Sequence, residues 1–432
     1  MVKILTKYWD EAESYKLETA LKYGAYESAR KALKLSPEEI IEEVKKAKLR
    51  GRGGAGFPAG QKWSFVPKDN KPHYLVVNAD EGEPGTFKDR YIMERSPHML
   101  LEGIIIASYA IRAENAFIYI RGEFQRAYER LSSAIEEAKN KGFLGKNIFG
   151  TGRTLNVFII RGAGAYICGE ETALIESIEG KSGRPRLRPP FPAVSGLYSN
   201  PTVVNNVETI SLVPAIFEFG AERFLSLGTA TDGGTKLYCI SGHIKRPGLY
   251  ELSMGTNLKD IIFNYAGGIV GDRALKAVLP GGSSTPVIRG DECDVSMDFD
   301  CVKNVGSMLG SGAIVVMDER TCMVRALLSL LEFYADESCG QCTPCREGVP
   351  WIYKITKRIE EGRADYSDID LLLDVSNNIL GNTICPLGDA AAMPTISIVK
   401  KFREEFEEHI RKKGCYFDNL PLAPVLEGRS LV

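Results

Sequence analysis

Apolar positions along the chain follow two periods. HYLVVNAD (73–80), AFIYIRG (116–122) and LNVFIIRG (155–162) are short apolar runs closed by turn residues, and they read as buried strands. Between the last two, AYERLSSAIEEAKNKG repeats at helical spacing. Ahead of the first strand, Ser36, Pro37 and Glu39 occupy the N-cap, N1 and N3 positions of a helix running to near Leu49. Strands alternating with helices predict an α/β layer. From Thr235 the units shorten: KLYCISGHI, a turn at Arg246, Pro247 and Gly248, LYEL, a helix from Asn257 to Tyr265, then the strand ALKAVLPGG. Past Arg320 the pattern is helical, with runs starting near Thr321, Arg346, Ser367 and Thr395, the third capped by Ser367 and the fourth opened by Pro394.

These segments divide the 432 residues into roughly three domains. Residues 1–230 form an α/β domain with a helical lead, 235–318 a small unit resembling a β-grasp, and 321–432 a helical bundle. Lys plus Arg (54) nearly balance Asp plus Glu (56), a net charge of −2, so no global basic field draws nucleic acid or anionic lipid. The best membrane-span candidate, Met99 to Ile111, is short and interrupted by Glu102. The N-terminus turns polar and acidic too soon for a secretory signal, and the chain reads as cytoplasmic. In that reducing compartment, clustered thiols among the ten cysteines point to metal rather than disulfides.

One such cluster stands out. Cys339, Cys342 and Cys345 form C-x2-C-x2-C between two expected helices, and Cys385 lies in a second interhelical loop, GNTICPLGD. Three thiolates in a short turn plus one from afar suit the four irons of a cubane. Zinc is the weaker reading because all four histidines are remote in sequence, and structural or redox thiols are the third. The other six cysteines read as buried small hydrophobes.

The second candidate is GRGGAGFPAGQKW (51–63). Its G-x-G-x-x-G follows a helix rather than the strand a dinucleotide fingerprint requires, and it is not a Walker A loop. The general physics remains: Gly51, Gly53 and Gly54 expose backbone N–H groups, and Arg52 and Lys62 add positive charge, which suits a phosphate-bearing ligand as well as a plain surface turn. The first strand then runs into NADEGEPGTFKDR, placing Asn78, Asp80, Glu81 and Glu83 at its C-terminal end. Carboxylates beside a phosphate loop make sense only if the ligand also offers donors, such as ribose hydroxyls or a flavin edge. GAGAYICGEETALIESIEG (162–180) repeats the strand, glycine turn and helix arrangement, with Gly169 in the turn and Glu170 and Glu171 at the helix start, where a helix N-terminus stabilises acids in any case. Arg188 lies in the Pro-spaced SGRPRLRPPFP, and Phe57, Phe65 and Phe191 lie in or beside these loops, placed to stack on a base or to serve as core.

Together with PTVVNNVET (201–209), these motifs resemble the family of NADH-binding flavoprotein subunits of bacterial respiratory complex I, the NADH–quinone oxidoreductase. The resemblance spans nearly the whole chain. It implies a Rossmann-like flavin domain, a ubiquitin-like (β-grasp) domain and a C-terminal four-helix bundle holding a [4Fe–4S] cluster. It implies NADH oxidation, hydride transfer to non-covalent FMN and single-electron relay to the cluster. Gly51, Gly53, Lys62, Asn78, Asp80, Glu170, Asn205, Asn206 and Thr209 become FMN contacts. Phe57, Phe65 and Phe191 surround the adenine of NAD(H), with Lys62, Glu83, Glu171 and Arg188 near its polar parts and Tyr166 beside the isoalloxazine. Lys62, Glu83 and Tyr166 are thus nearest the reacting atoms, although hydride transfer needs alignment rather than a protein base. Glu171 near the ribose implies preference for NADH over NADPH.

The resemblance also implies two partners within the complex, a small [2Fe–2S] subunit (E) and a larger iron–sulfur subunit (G). It implies a peripheral location on the cytoplasmic side of the inner membrane, with no direct membrane contact. Related chains serve NAD-reducing hydrogenases and formate dehydrogenases, so a diaphorase role is the alternative. Holding the cluster within electron-tunnelling reach of the flavin requires the Cys385 loop to pack toward the α/β domain.

Overall fold

The structure, a computed structural model, describes residues 2–417. Strands β1 (Tyr74–Ala79), β2 (Asn115–Ile120), β3 (Asn156–Arg161) and β4 (Thr202–Asn206) form a wholly parallel sheet in the order β3-β2-β1-β4. The first three follow the apolar runs. The fourth escapes them because TVVNN offers only two apolar side chains, yet it pairs with β1 from Tyr74 against Thr202 to Asn78 against Asn206.

The two-residue period assigns the faces of this sheet. Leu75, Val77, Ile118, Ile120 and Val203 point into one core; Val76, Tyr119 and Val204 point into another. The first core is filled by α1 (Pro37–Lys46), α2 (Ala59–Ser64), α3 (Lys88–Arg95), α4 (Pro97–Ala110) and α5 (Gln125–Asn140). α1 starts on the expected capping box, with Ser36 and Glu39 exchanging hydrogen bonds. Helices α6 (Glu171–Ile178) and α7 (Val207–Phe219) follow β3 and β4. The apolar stretch around Met99 is α4, buried on almost every side; a Cβ on its Gly103 would lie 2.0 Å from the Ile210 carbonyl oxygen, so glycine is what lets α7 approach. Among the described residues no helix is long and apolar enough to cross a membrane.

The second sheet has five strands, β5 (Thr235–Gly242), β6 (Gly248–Ser253), β7 (Leu275–Leu279), β8 (Ile288–Arg289) and β9 (Ala313–Asp318), in the order β6-β5-β9-β7-β8. The expected ββαβ pattern is present, with Asn257 capping a helical segment that turns π-helical at Ile261–Tyr265. The centre, however, is β9, parallel to β5 and antiparallel to β7.

Beyond it, α8 (Met323–Glu337), α9 (Gly348–Glu360), α10 (Tyr366–Ile379) and α11 (Leu387–Lys401) form the bundle, followed by α12 (Arg403–Lys412). Two expected starts are corrected. Asp365, not Ser367, caps α10 through a box with Asp368. Pro394 lies inside α11 rather than opening a helix: buried Ala390, Ala391 and Ala392 hold the turn that proline weakens, and the Thr395 hydroxyl donates to the Ala391 carbonyl at 2.7 Å. Bundle residues Leu327, Leu331 and Tyr334 share the second core of the first sheet with Val76, Val204 and Ile175.

Candidate functional site

The chain leaves β1 for β2 on one side of the sheet and places β4 on the other, so the strand order reverses at β1. In open parallel sheets, the crevice beyond the carboxyl ends at such a reversal is where ligands bind. The glycine loop reaches this point from outside the sheet. Its Arg52 N–H donates to Thr209 Oγ1 at 2.8 Å, and a Cβ on Gly53 would stand 3.0 Å from Asn206 Cβ. Gly54, at φ +134°, faces open space. Gly51 closes the loop, its N–H donating to the Phe57 carbonyl at 2.9 Å.

Across the same crevice, the Asn78 amide donates to the Gly169 carbonyl at 2.8 Å, tying β1 to the turn before α6. Asp80 Oδ2 is buried with no hydrogen-bond partner among the described residues, 3.8 Å from where a Gly169 Cβ would stand. Burial raises its carboxyl to about 7. A buried acceptor without a donor, beside glycines that keep the backbone bare, fits a ligand rich in hydroxyls such as the ribityl chain of FMN. Glu170 caps α6, accepting from the Thr172 and Ala173 amides. Lys62 Nζ lies 2.7 Å from Glu171 Oε2 and donates to the Val204 carbonyl at 2.9 Å. Arg188 reaches Glu171 at 3.1 Å and Glu170 at 3.5 Å. The Tyr166 hydroxyl donates to Glu83 Oε2 at 2.6 Å, while Glu83 Oε1 accepts from the Ser284 amide at 2.8 Å. Burial, then the Glu83 charge, hold the Tyr166 phenol well above its ordinary pKa. Phe57 and Phe65 are exposed, their rings 6.1 Å apart, and Phe191 is exposed on the Arg188 loop.

Some expected contacts are already engaged within the protein. Asn205 Oδ1 accepts from the Trp63 indole at 2.8 Å, and Asn206 bridges Asp89 to the start of α7. Two side chains are corrected outright. Arg52 is fully buried against Asp232 at 2.7 Å and the Gly233 carbonyl at 2.7 Å, so its charge fastens the loop to the segment before β5 instead of facing a phosphate. Glu81 turns inward and accepts from the amides of Lys88, Asp89 and Arg90, the first turn of α3. Sequence reasoning missed the buried charges behind them: Lys88 and Lys236 both contact Glu208, at 3.0 and 2.7 Å. No periodicity marks them; only the fold brings together Lys88 at the start of α3, Glu208 in the first turn of α7 and Lys236 in β5.

Cys339, Cys342 and Cys345 lie between α8 and α9, and Cys385 precedes α11. Cys345 interacts electrostatically with Cys342 and Cys339; Cys385 does so with Cys339, Glu170 and Cys345. Four thiols from two interhelical loops supply the number and type of ligand that a four-iron cube takes. Burial pushes the Cys385 thiol up to about 12, a cost that iron ligation removes. Cys385 and Leu387 belong to the same apolar core as Val76 and Val204 of the first sheet, so the bundle packs on the α/β domain.

Comparison with known proteins agrees region by region. Residues 44–215 match the Nuo51 FMN-binding domain, 236–316 the SLBB domain, and 325–409 the NADH-ubiquinone oxidoreductase-F iron-sulfur binding region. The chain is 51% identical over 426 residues to the NADH-quinone oxidoreductase-F polypeptide of Mycobacterium tuberculosis (strain ATCC 25618 / H37Rv), covering 97% of this chain and 96% of that one. It is 53% identical over 416 residues to an NADH-quinone oxidoreductase-F polypeptide of Rhizobium meliloti (strain 1021), with 96% and 99% covered. Among solved structures it is similar to a chain of the NAD+-reducing [NiFe]-hydrogenase in the H2-reduced state, with a TM-score of 0.82 and 38% identity, covering 91% of this chain and 66% of that one.

Proposed function

The chain belongs to the NADH-quinone oxidoreductase-F family, and from that premise we propose how its residues divide the work of electron entry. It oxidises NADH with FMN and a [4Fe–4S] cluster as cofactors. When bound, FMN accepts electrons from NADH as a pair and the cluster takes them one at a time.

The glycine loop and the ends of β1 and β4 form the flavin cradle: Gly51, Gly53 and Gly54 bring backbone close, Asp80 accepts ribityl hydroxyls, and Asn78, Gly169, Glu170, Asn205, Asn206 and Thr209 fix its walls. Lys62, Glu171 and Arg188 meet the polar parts of the nucleotide, Phe57, Phe65 and Phe191 its adenine. Tyr166 and Glu83, held together by their hydrogen bond, would orient the nicotinamide against the flavin, the alignment that hydride transfer needs. Cys339, Cys342, Cys345 and Cys385 bind the cluster. The observation that supports this division best is Asp80 Oδ2, a buried acceptor at the end of β1 with no hydrogen-bond partner among the described residues, beside Gly169.

As a component of complex I the chain has partner subunits; we assign these as the small [2Fe–2S] protein (E) and the larger iron–sulfur protein (G), and place the chain peripherally on the cytoplasmic side of the inner membrane. The working units are 1–230, 235–318 and 321–432. The likeness to the hydrogenase chain supports a second reading, a diaphorase role, which the proteins that copurify with the chain decide. The direct test is anaerobic optical titration with NADH followed by acid extraction. Bleaching of a flavin band with release of FMN is expected; a colourless protein unresponsive after reconstitution with FMN, iron and sulfide would overturn the reading.

A further inference from the structure

At the end of the bundle away from the cysteine loops, four side chains that are distant in sequence converge. Cys322 is the N-cap of α8, Glu360 the last residue of α9, His409 lies on α12, and Cys415 follows α12. Their ligand atoms all lie within 4.8 Å of one another. α8 has 15 residues, about 22 Å at 1.5 Å per residue, and separates this group from Cys339 beyond its other end.

We propose that Cys322, Glu360, His409 and Cys415 bind one zinc ion that staples α12 to the start of α8 and the end of α9. The spacings are those of a tetrahedron's edges. Cys322 Sγ lies 3.6 Å from Cys415 Sγ, 3.3 Å from His409 Nε2 and 3.8 Å from Glu360 Oε2, and the last two atoms are 3.3 Å apart. Zinc bonds of about 2.3 Å to sulfur and 2.1 Å to nitrogen or oxygen give edges of about 3.8 and 3.4 Å.

The surroundings orient each ligand. His409 Nδ1 is 2.6 Å from the Glu405 carbonyl, which only accepts, so Nδ1 carries the proton and the Nε2 lone pair faces the other three. Arg325 holds Glu360 Oε1 at 2.7 Å and leaves Oε2 turned inward. The Arg325 amide donates to Cys322 Sγ at 3.3 Å, which fixes the direction of the sulfur. The charges close: two thiolates and a carboxylate total −3, zinc brings −1, and the Arg325 guanidinium neutralises the remainder. Cys322 and His409 are buried, and Tyr416 packs on the His409 ring at 5.3 Å. Four protein ligands leave no open position, so the site is structural rather than catalytic.

Metal analysis of the purified full-length protein tests this. One zinc per chain is expected beside the cluster iron. His409→Gln and Cys415→Ser should each lose the zinc and lower the unfolding temperature while retaining the [4Fe–4S] EPR signal and bound flavin. Cobalt substitution of the native protein should give tetrahedral, thiolate-ligated absorption bands, a readout that needs no variant to fold. Substoichiometric zinc from zinc-replete cells, zinc unchanged in both variants, or a Cys322–Cys415 disulfide in peptide maps of anaerobically purified protein would each overturn the assignment.

Discussion

Lys62 Nζ sits 2.7 Å from Glu171 Oε2, and Arg188 holds the other oxygen of the same carboxylate at 3.1 Å. Glu171 is thus a fixed negative charge at the mouth of the crevice, only partly exposed and not free to swing away. A carboxylate so placed accepts a ribose 2′-hydroxyl and repels a 2′-phosphate. Glu171→Gln should therefore raise the ratio of kcat/KM for NADPH over NADH by about tenfold, some 1.4 kcal/mol. A ratio equal to that of the native enzyme removes Glu171 from cofactor discrimination.

The Tyr166 hydroxyl anchors Glu83 from one side and the Ser284 amide anchors it from the other, at 2.6 and 2.8 Å. Removing a hydrogen bond to a charged group costs about 1.5–3 kcal/mol. Tyr166→Phe should lower kcat/KM for NADH with ferricyanide as acceptor by about tenfold or more, with flavin content unchanged. Loss of flavin in step with activity would place Tyr166 in cofactor retention instead.

Three of the four strands of the first sheet are legible because each is a continuous apolar run; β4 is not, since its last residues, Asn205 and Asn206, are polar and β1 supplies its neighbour. β9 escapes for another reason. AIVVMD is a good strand, but its central place between β5 and β7 depends in part on pairing with β5 across more than 70 residues of sequence, which local pattern does not carry. Glycine spacing locates the crevice but not the fate of each side chain in it. Arg52 reads as a phosphate ligand until Asp232, 180 residues on, takes its charge. Cys322 and Cys415 read as isolated because their meeting depends on how α8 and α12 pack.

Glu208 is fully buried between Lys88 and Lys236. Burial disfavours its charge, but Lys236, Lys88 and Arg52 outweigh it and hold the carboxyl below its ordinary pKa. Removing one member of a buried ion pair leaves an uncompensated charge and costs about 3–5 kcal/mol. Glu208→Gln should lower the denaturant midpoint accordingly, and Glu208→Gln with Lys236→Met should recover part of the loss. A single variant as stable as the native chain would show that the buried lysines do not depend on the Glu208 charge.

Cys385 comes from a different loop than its three companions, directly ahead of α11. Cys385→Ala should abolish the low-temperature [4Fe–4S] EPR signal and electron transfer to downstream acceptors, while NADH still bleaches the flavin. An unchanged signal would mean that the fourth ligand lies elsewhere.

Asp80 gives the crevice a pH dependence whose sign follows from its environment. Burial raises its carboxyl from 3.8 to about 7, with Arg121 opposing and Glu123 and Glu337 adding to the rise. Between those values the folded flavin-free chain binds the extra proton, so this group's contribution to stability is complete below about 4 and is lost as pH rises through 7. Flavin binding runs the other way. Ribityl hydroxyls donating to Oδ2 favour the ionised carboxylate, so below pH 7 binding must release a proton. The dissociation constant for FMN should then rise by up to about tenfold for each pH unit below 7 and level off above it. Asp80→Asn should flatten this profile at a weaker affinity, because the amide keeps one acceptor and loses the charge. Fluorescence titration of the flavin-stripped protein from pH 5.5 to 8 reads both curves, and a native curve as flat as that of Asp80→Asn would take Asp80 out of the flavin site.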